Sequence, residues 1–153
     1  MAVFNSAGST LAICASLPST YDSSGYAALT YTTVGVITAI TGDIGGTSSE
    51  SSHIPLATGI AVKDKGAHDP GTITAALVIN TADAGQVIAL ARSLPSISTR
   101  TSFKLTRKDT KVHYFHGPVL SFAVTVGDAN AFTEGSIVVA VSDDGAGSYL
   151  VTV

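Results

Sequence analysis

The chain has 153 residues, of which 45% are apolar and only 12% charged, and its formal net charge is −3. That length builds one domain with a single core, so residues 1–153 read as one unit. The sparse, slightly acidic charge excludes a general electrostatic pull toward nucleic acid or an anionic membrane. Cys14 is the only cysteine, so no intrachain disulfide forms. No apolar run approaches the roughly 18–20 residues of a membrane span. Residues 1–18 lack the basic start of a signal peptide, which leaves synthesis and retention in a cytoplasm as the expectation. The polar surface must come mainly from the 37 Ser and Thr residues. A surface so poor in charge is weakly protected against self-association.

In chain order, strand patterns dominate. Leu11 to Leu17 is a weak strand candidate. Tyr31 to Ile40 is rich in Thr, Val and Ile, with Val34, Val36, Thr38 and Ile40 expected on one face. Residues 41–71 fit neither the strand nor the helix period. Glycine, two prolines and the run Ser48 to Ser52 mark them as a long loop, of a length that usually carries function. Thr72 to Ile79 alternates, with Ile73, Ala75, Leu77 and Ile79 inward. Residues 83–94 have a helical period: Val87, Leu90, Ala91 and Leu94 recur at i, i+3, i+4 and i+7. Asp83 is the N-cap and Gln86, three residues on, completes a variant capping box. Pro95 ends the helix.

Thr101 to Arg107 places Phe103 and Leu105 inward and Ser102, Lys104 and Thr106 outward. A turn at Lys108-Asp109-Thr110 leads into Lys111 to His116, forming a hairpin. Val119 to Val126 aligns Leu120, Phe122, Val124 and Val126. Glu134 to Ser142 aligns Ile137, Val139 and Val141, and Ser148 to Val153 is a last, weak strand. The sum is a mainly β fold, a β-sandwich or partly open barrel of antiparallel strands flanked by one α-helix.

No catalytic constellation is visible, and the chain does not read as an enzyme. His113 and His116 are three apart on a strand and so point to opposite faces, while His53 and His68 lie in the loop without a cysteine nearby. Neither pair has metal-ligand spacing. Asp143-Asp144-Gly145 lacks the alternating oxygen ligands and closing Glu of a calcium loop. There is no nucleophile elbow and no phosphate loop. No cofactor is implied. One charge cluster stands out: Arg100, Lys104, Arg107, Lys108 and Lys111 are five of the eight basic residues. It reads as an intersubunit ion-pair surface or as a solvated hairpin that blunts an edge.

The order of the pieces carries a resemblance. Ser19 to Thr38 contains Y-x-x-V-G-x-I-T and is followed by the Gly- and Ser-rich loop. Asp69 to Leu77 reads D-P-G-T-I-T-A-A-L, Asn80 to Gln86 opens the helix with D-A-G-Q, and Tyr114 to Phe122 reads Y-F-H-G-P-V-L-S-F. From Leu11 to Gly145 the chain resembles the tail tube (major tail) protein of long, non-contractile-tailed bacteriophages. The resemblance implies a structural virion protein forming hexameric rings, stacked into a hollow tube through which DNA passes without specific binding. It also implies a lumen of negative potential, and as partners further copies of the chain, a tape-measure protein, and tail-tip (distal tail) and tail-terminator proteins. The chain shows no C-terminal immunoglobulin-like domain of the kind some tube proteins add.

In such tubes the long loop reaches a neighbouring subunit or ring. That role falls on Thr41, Gly42, Asp43, Gly45, Gly46, Ser48, Glu50, His53, Lys63, Asp64, Lys65 and His68. Two other readings remain at this point. One is the tube of a contractile tail or a secretion-system ring. The other is a carbohydrate-binding or adhesion sandwich, which the absence of Trp disfavours.

Overall fold

The computed structural model describes Val3 and residues 5–153. Strand β1 (Thr10–Cys14) is followed by the short helix α1 (Ser23–Ala27), β2 (Thr32–Thr33) and β3 (Ile37–Gly42). A ribbon of β4 (Thr47–His53) and β5 (Val62–Asp69) precedes β6 (Thr72–Val78) and helix α2 (Ala84–Arg92). The remaining strands are β7 (Thr101–Thr106), β8 (Val112–Gly117), β9 (Val119–Thr125), β10 (Glu134–Ala140) and β11 (Leu150–Thr152). They form a five-stranded sheet in the order β11-β8-β7-β1-β2, a four-stranded sheet in the order β3-β6-β10-β9, and the separate β4-β5 ribbon. Every pairing is antiparallel. The two larger sheets make the expected helix-flanked sandwich; neither closes into a barrel, and α1 is a second helix that the sequence pattern did not announce.

The core lies between those sheets. Leu11, Ile13, Phe103, Leu105 and Phe115 from the five-stranded sheet meet Ile73, Ala75, Leu77, Ile137 and Val139 from the four-stranded one. Phe103 and Phe115 stand opposite each other in register and stack with centroids 5.3 Å apart. Each such side chain, fully buried, contributes about 1.5–3 kcal/mol. The inward alternations expected for β6, β7 and β10 are those observed.

The chain changes sheets at two tight corners. Val34 N–H donates to the Leu11 carbonyl in one sheet, and two residues later the Val36 carbonyl accepts from Val78 N–H in the other. Val36 takes φ 58° to make that crossing, a strained conformation for a β-branched residue. The second corner is Gly117-Pro118, where a Cβ on Gly117 would run into the Ala140 carbonyl; only glycine allows the backbones to come so close.

These corners correct the sequence pattern. Tyr31 to Ile40 is not one strand but two in different sheets, so Val34 is buried and Val36 half exposed. Between β9 and β10 the register shifts between Val138 and Val139, leaving Leu120 of β9 as the extra residue. The bulge takes Leu120 out of the expected face, on which Phe122 packs on the core; Val124 and Val126, toward the far end of the strand, are exposed. Residues 41–71 are not a loop. They hold the end of β3 and the β4-β5 ribbon, an arm whose pairs are internal to it. With both faces in water, the arm needs no apolar alternation, which is why it had no readable period.

The helix is the largest correction. It spans Ala84–Arg92, and the Asp83 carboxylate caps it by accepting from Gln86 N–H at 2.8 Å. Gln86 does not reciprocate. Its side chain is buried and accepts from Asn80 N–H at 2.9 Å, while its amide donates to the Gly35 and Val78 carbonyls at 3.0 Å each. It ties the first corner to the end of β6. The helix approaches the sandwich through its small residues, Gly85 against the backbone of Thr33 and Val34, and Ala89. Only that side permits so close an approach. The stripe Val87, Leu90, Ala91 and Leu94 therefore faces outward, with Val87, Leu90 and Leu94 each about half exposed.

Candidate assembly surfaces

Among the described residues, the four-stranded sheet has two open edges. Strand β9 forms one and β3 the other, of seven and six residues, and neither carries a charge. Unpaired N–H and C=O groups along such a strand template pairing with another chain, and natural edges are normally blunted by charge, proline or brevity. Side chains alternate across a strand, so the face opposite the core follows from the register. It carries Thr74 and Ala76 of β6, Ser136 and Val138 of β10, Ser121 and Ala123 of β9, and Ala39 and Thr41 of β3. Glu134 is the one ionisable side chain among the strand residues of this face. The result is a broad, small-residue, hydroxyl-bearing surface.

The five-stranded sheet is built the other way. Its edges are β11 and β2, of three and two residues. Its outer face lies under the segment around α1. Tyr26 stacks on Tyr114 at 5.5 Å and its hydroxyl hydrogen-bonds His116 Nδ1 at 2.7 Å; Tyr21 lies 4.8 Å from the His116 ring and Tyr31 5.9 Å from Tyr114. Ser102, pointing away from the core as expected, is nevertheless buried here and donates to the Ser16 carbonyl at 2.7 Å. Burial lowers the His116 pKa, the Asp143 backbone partly opposing it. Burial likewise raises the Tyr26 and Tyr31 phenols well above their ordinary value.

The arm brings most of the loop residues together. Thr41 and Gly42 end β3, and Asp43, Gly45 and Gly46 form its root. Ser48 hydrogen-bonds His68 Nδ1 at 2.8 Å, and Glu50 pairs with Lys63 at 3.1 Å. Lys65 stands opposite Glu50 and Asp64 opposite Ser51. Beyond His53 the tip exposes Ile54, Leu56 and Ile60. The C-terminal segment braces the root: the Tyr149 ring packs at a tilt on His68 with centroids 4.9 Å apart, and its hydroxyl donates to the Gly45 carbonyl at 3.2 Å. Tyr149 had no signature in the sequence, because its partners lie some hundred residues away.

The basic hairpin does not form one patch. Arg100 donates to the Asp143 carbonyl at 2.7 Å, and Lys104 lies 6.0 Å above the Tyr114 ring. Arg107 pairs with Asp109 at 3.0 Å and Lys108 donates to Asn5 at 2.9 Å, at the opposite end of β7 together with Lys111. At the usual rise per residue Arg100 stands roughly 23 Å along the strand from Arg107, and Lys104 roughly 10 Å. Around Arg107 and Lys108 opens a groove of about 590 Å³, floored by Ile37, Ile40, Ile44, Ile73 and Leu105.

His113 meets Thr152 at 2.9 Å, on the strand that buries His116. Among the described residues no group of three His, Cys, Asp or Glu side chains could hold a metal ion, and no helix is long and apolar enough to cross a membrane. No protein-family model matches the sequence, and no curated protein matches it significantly.

Proposed function

We propose that this chain is the ring-forming subunit of a hollow tube, of the tail-tube type of the long, non-contractile-tailed phages that its sequence resembles. The observation that carries the reading is the pair of full-length, uncharged open edges on one four-stranded sheet. Because four is an even number, β9 of one copy meets β3 of the next in the antiparallel sense, and the alternation continues unbroken around a ring. Closure then removes every edge of that sheet. Its outward face, bare in the single chain, becomes the wall of the lumen. Such a lining makes no contact to phosphate: it presents hydroxyls, Ala and Val, with one carboxylate, Glu134, per copy and no Lys or Arg. DNA held by no cation slides.

The apolar tip of the arm, remote from its own core, is suited to reach a neighbouring ring. In this reading the chain is a virion protein and no enzyme. Its partners are its own copies, a tape-measure protein in the lumen, and tail-tip and tail-terminator proteins at the ends. Negative-stain electron microscopy of the concentrated protein, with and without tail-tip components, tests it. Rings or tubes with a central hole are expected. Protein that stays monomeric under both conditions overturns the reading.

A further inference from the structure

The amphipathic helix turns its apolar stripe away from its own core, and such a stripe in water requires a cover. Three observations choose the cover. First, α2 lies beside β9 as well as β1 and β2, so the helix that carries the stripe borders the open edge that, on the reading above, joins the next copy. Second, the edge that would receive β9, strand β3, borders a groove of about 590 Å³, floored by Ile37, Ile40 and Ile44 and walled by residues 5–9, Arg107 and Lys108. Val78 pairs with both Val36 and Glu134, and Glu134 with Thr125. Level extension of the sheet therefore sets the Thr125 end of one copy beside the Ile37 end of the next. Third, the charges match: the loop that follows β9 carries Asp128, whereas the groove rim carries Arg107 and Lys108 against the single acid Asp109.

We infer that the outward stripe of α2, centred on Leu90, docks in the β3-side groove of an adjacent copy, as the second, apolar half of the lateral contact whose first half is β9-β3 pairing. This rests on the ring reading. The surface is heterologous: a convex stripe meets a concave groove elsewhere on an identical chain, which generates rings or helices rather than closed two-fold dimers. It also accounts for a helix that spends its apolar residues outside the core.

Two measurements test it on the full chain. Leu90→Glu places a charge on an exposed position, so circular dichroism should show an unchanged fold, while ring yield by sedimentation and electron microscopy should fall at least about tenfold from the loss of one buried leucine per contact. Separately, Leu90→Cys and Ile40→Cys proteins are mixed and oxidised. Disulfide-linked pairs of unlike chains are expected, in excess of the like pairs each variant forms alone.

Rings from Leu90→Glu at wild-type yield, or Leu90→Cys pairs forming only with themselves, overturn the docking assignment and leave the ring reading standing. Wild-type protein that forms no ring overturns both.

Discussion

The two sheets share one core and differ in everything outside it. The five-stranded sheet covers its outer face with its own chain, through Tyr21, Tyr26 and Tyr31, and ends in strands of two and three residues. The four-stranded sheet leaves its outer face bare and ends in strands of six and seven residues without a charge. Both obey the same rules of burial and pairing, so the contrast lies in where satisfaction is found. One sheet is finished within the chain. The other has unpaired edge groups and an uncovered surface that a second copy can complete. An interface can be read from what a fold leaves unfinished only when the same molecule shows how a finished sheet looks.

The largest effect should come from finishing the wrong sheet. Leu120 and Val124 on β9 are both more than half exposed. Replacing both with Lys supplies the charge that protected edges carry. Because surface substitutions stay within about 0.5 kcal/mol each, the melting temperature should hardly move, while assembly is abolished. Thr152→Lys on β11, the edge of the self-contained sheet, should leave assembly intact. Sedimentation of the two variants side by side reads the difference; equal behaviour would erase the distinction between the sheets.

The next effect is on stability and has the opposite location. Tyr26 is 1% exposed and holds both Tyr114 and His116. Tyr26→Ala should cost about 3–5 kcal/mol, as for other large aromatic truncations, which is roughly 6–20 °C in a domain of this size. Tyr26→Phe should cost about 1–3 kcal/mol by leaving His116 Nδ1 unpaired. Thr74→Ala, on the bare face of the other sheet, should cost less than about 0.5 kcal/mol in the monomer. Thermal melts of the three variants measure whether one outer face is structural and the other is not.

His116 sharpens the same contrast with pH. Burial lowers its pKa, so between that value and the ordinary value of about 6.5 the native state binds fewer protons than the unfolded one. Stability is therefore complete above about pH 6.5 and falls as the pH drops through the lowered value. His113, lowered by burial and then by Arg107, acts in the same direction. His116→Gln should flatten part of the decline in melting temperature between pH 7.5 and 5 and leave the share due to His113. The raised phenols of Tyr26 and Tyr31 have the reverse consequence: they remain protonated in the native state, so stability should fall as the pH rises above about 10.

What the sequence made legible follows from locality. The alternations of β6, β7 and β10 are set by residues two apart, and the Asp83 cap by residues three apart. The sheet change at Gly117-Pro118 was marked by that dipeptide as a break between strands, whereas the change at Val36 is set by its contact to Val78, far along the chain, and carried no local mark. The α2 stripe was legible as a stripe; its direction was not, since periodicity gives an apolar face without saying which body covers it. Gly85, Gln86 and Ala89 look like the weaker side of the helix and are the side that packs. The assembly edges were hidden for a similar reason, because an edge is a property of strand order rather than of any strand.

The smallest effect on stability belongs to the arm, and it separates folding from assembly most cleanly. Strands β4 and β5 pair with each other, and their one ion pair, Glu50–Lys63, has both side chains more than half exposed, which makes it worth little. Excising residues 50–65 and joining the strands with a two-residue turn leaves the root intact, including the contacts of His68 with Ser48 and Tyr149. The melting temperature should change by no more than a few degrees, the equivalent of about 1 kcal/mol. Single rings should still form, because both edges of the four-stranded sheet are untouched, but tubes should not lengthen. Electron microscopy that finds normal tubes from the excised protein would remove the arm from the contact between rings. Loss of the rings themselves would place the arm within the ring, alongside the β9 edge and the α2 stripe.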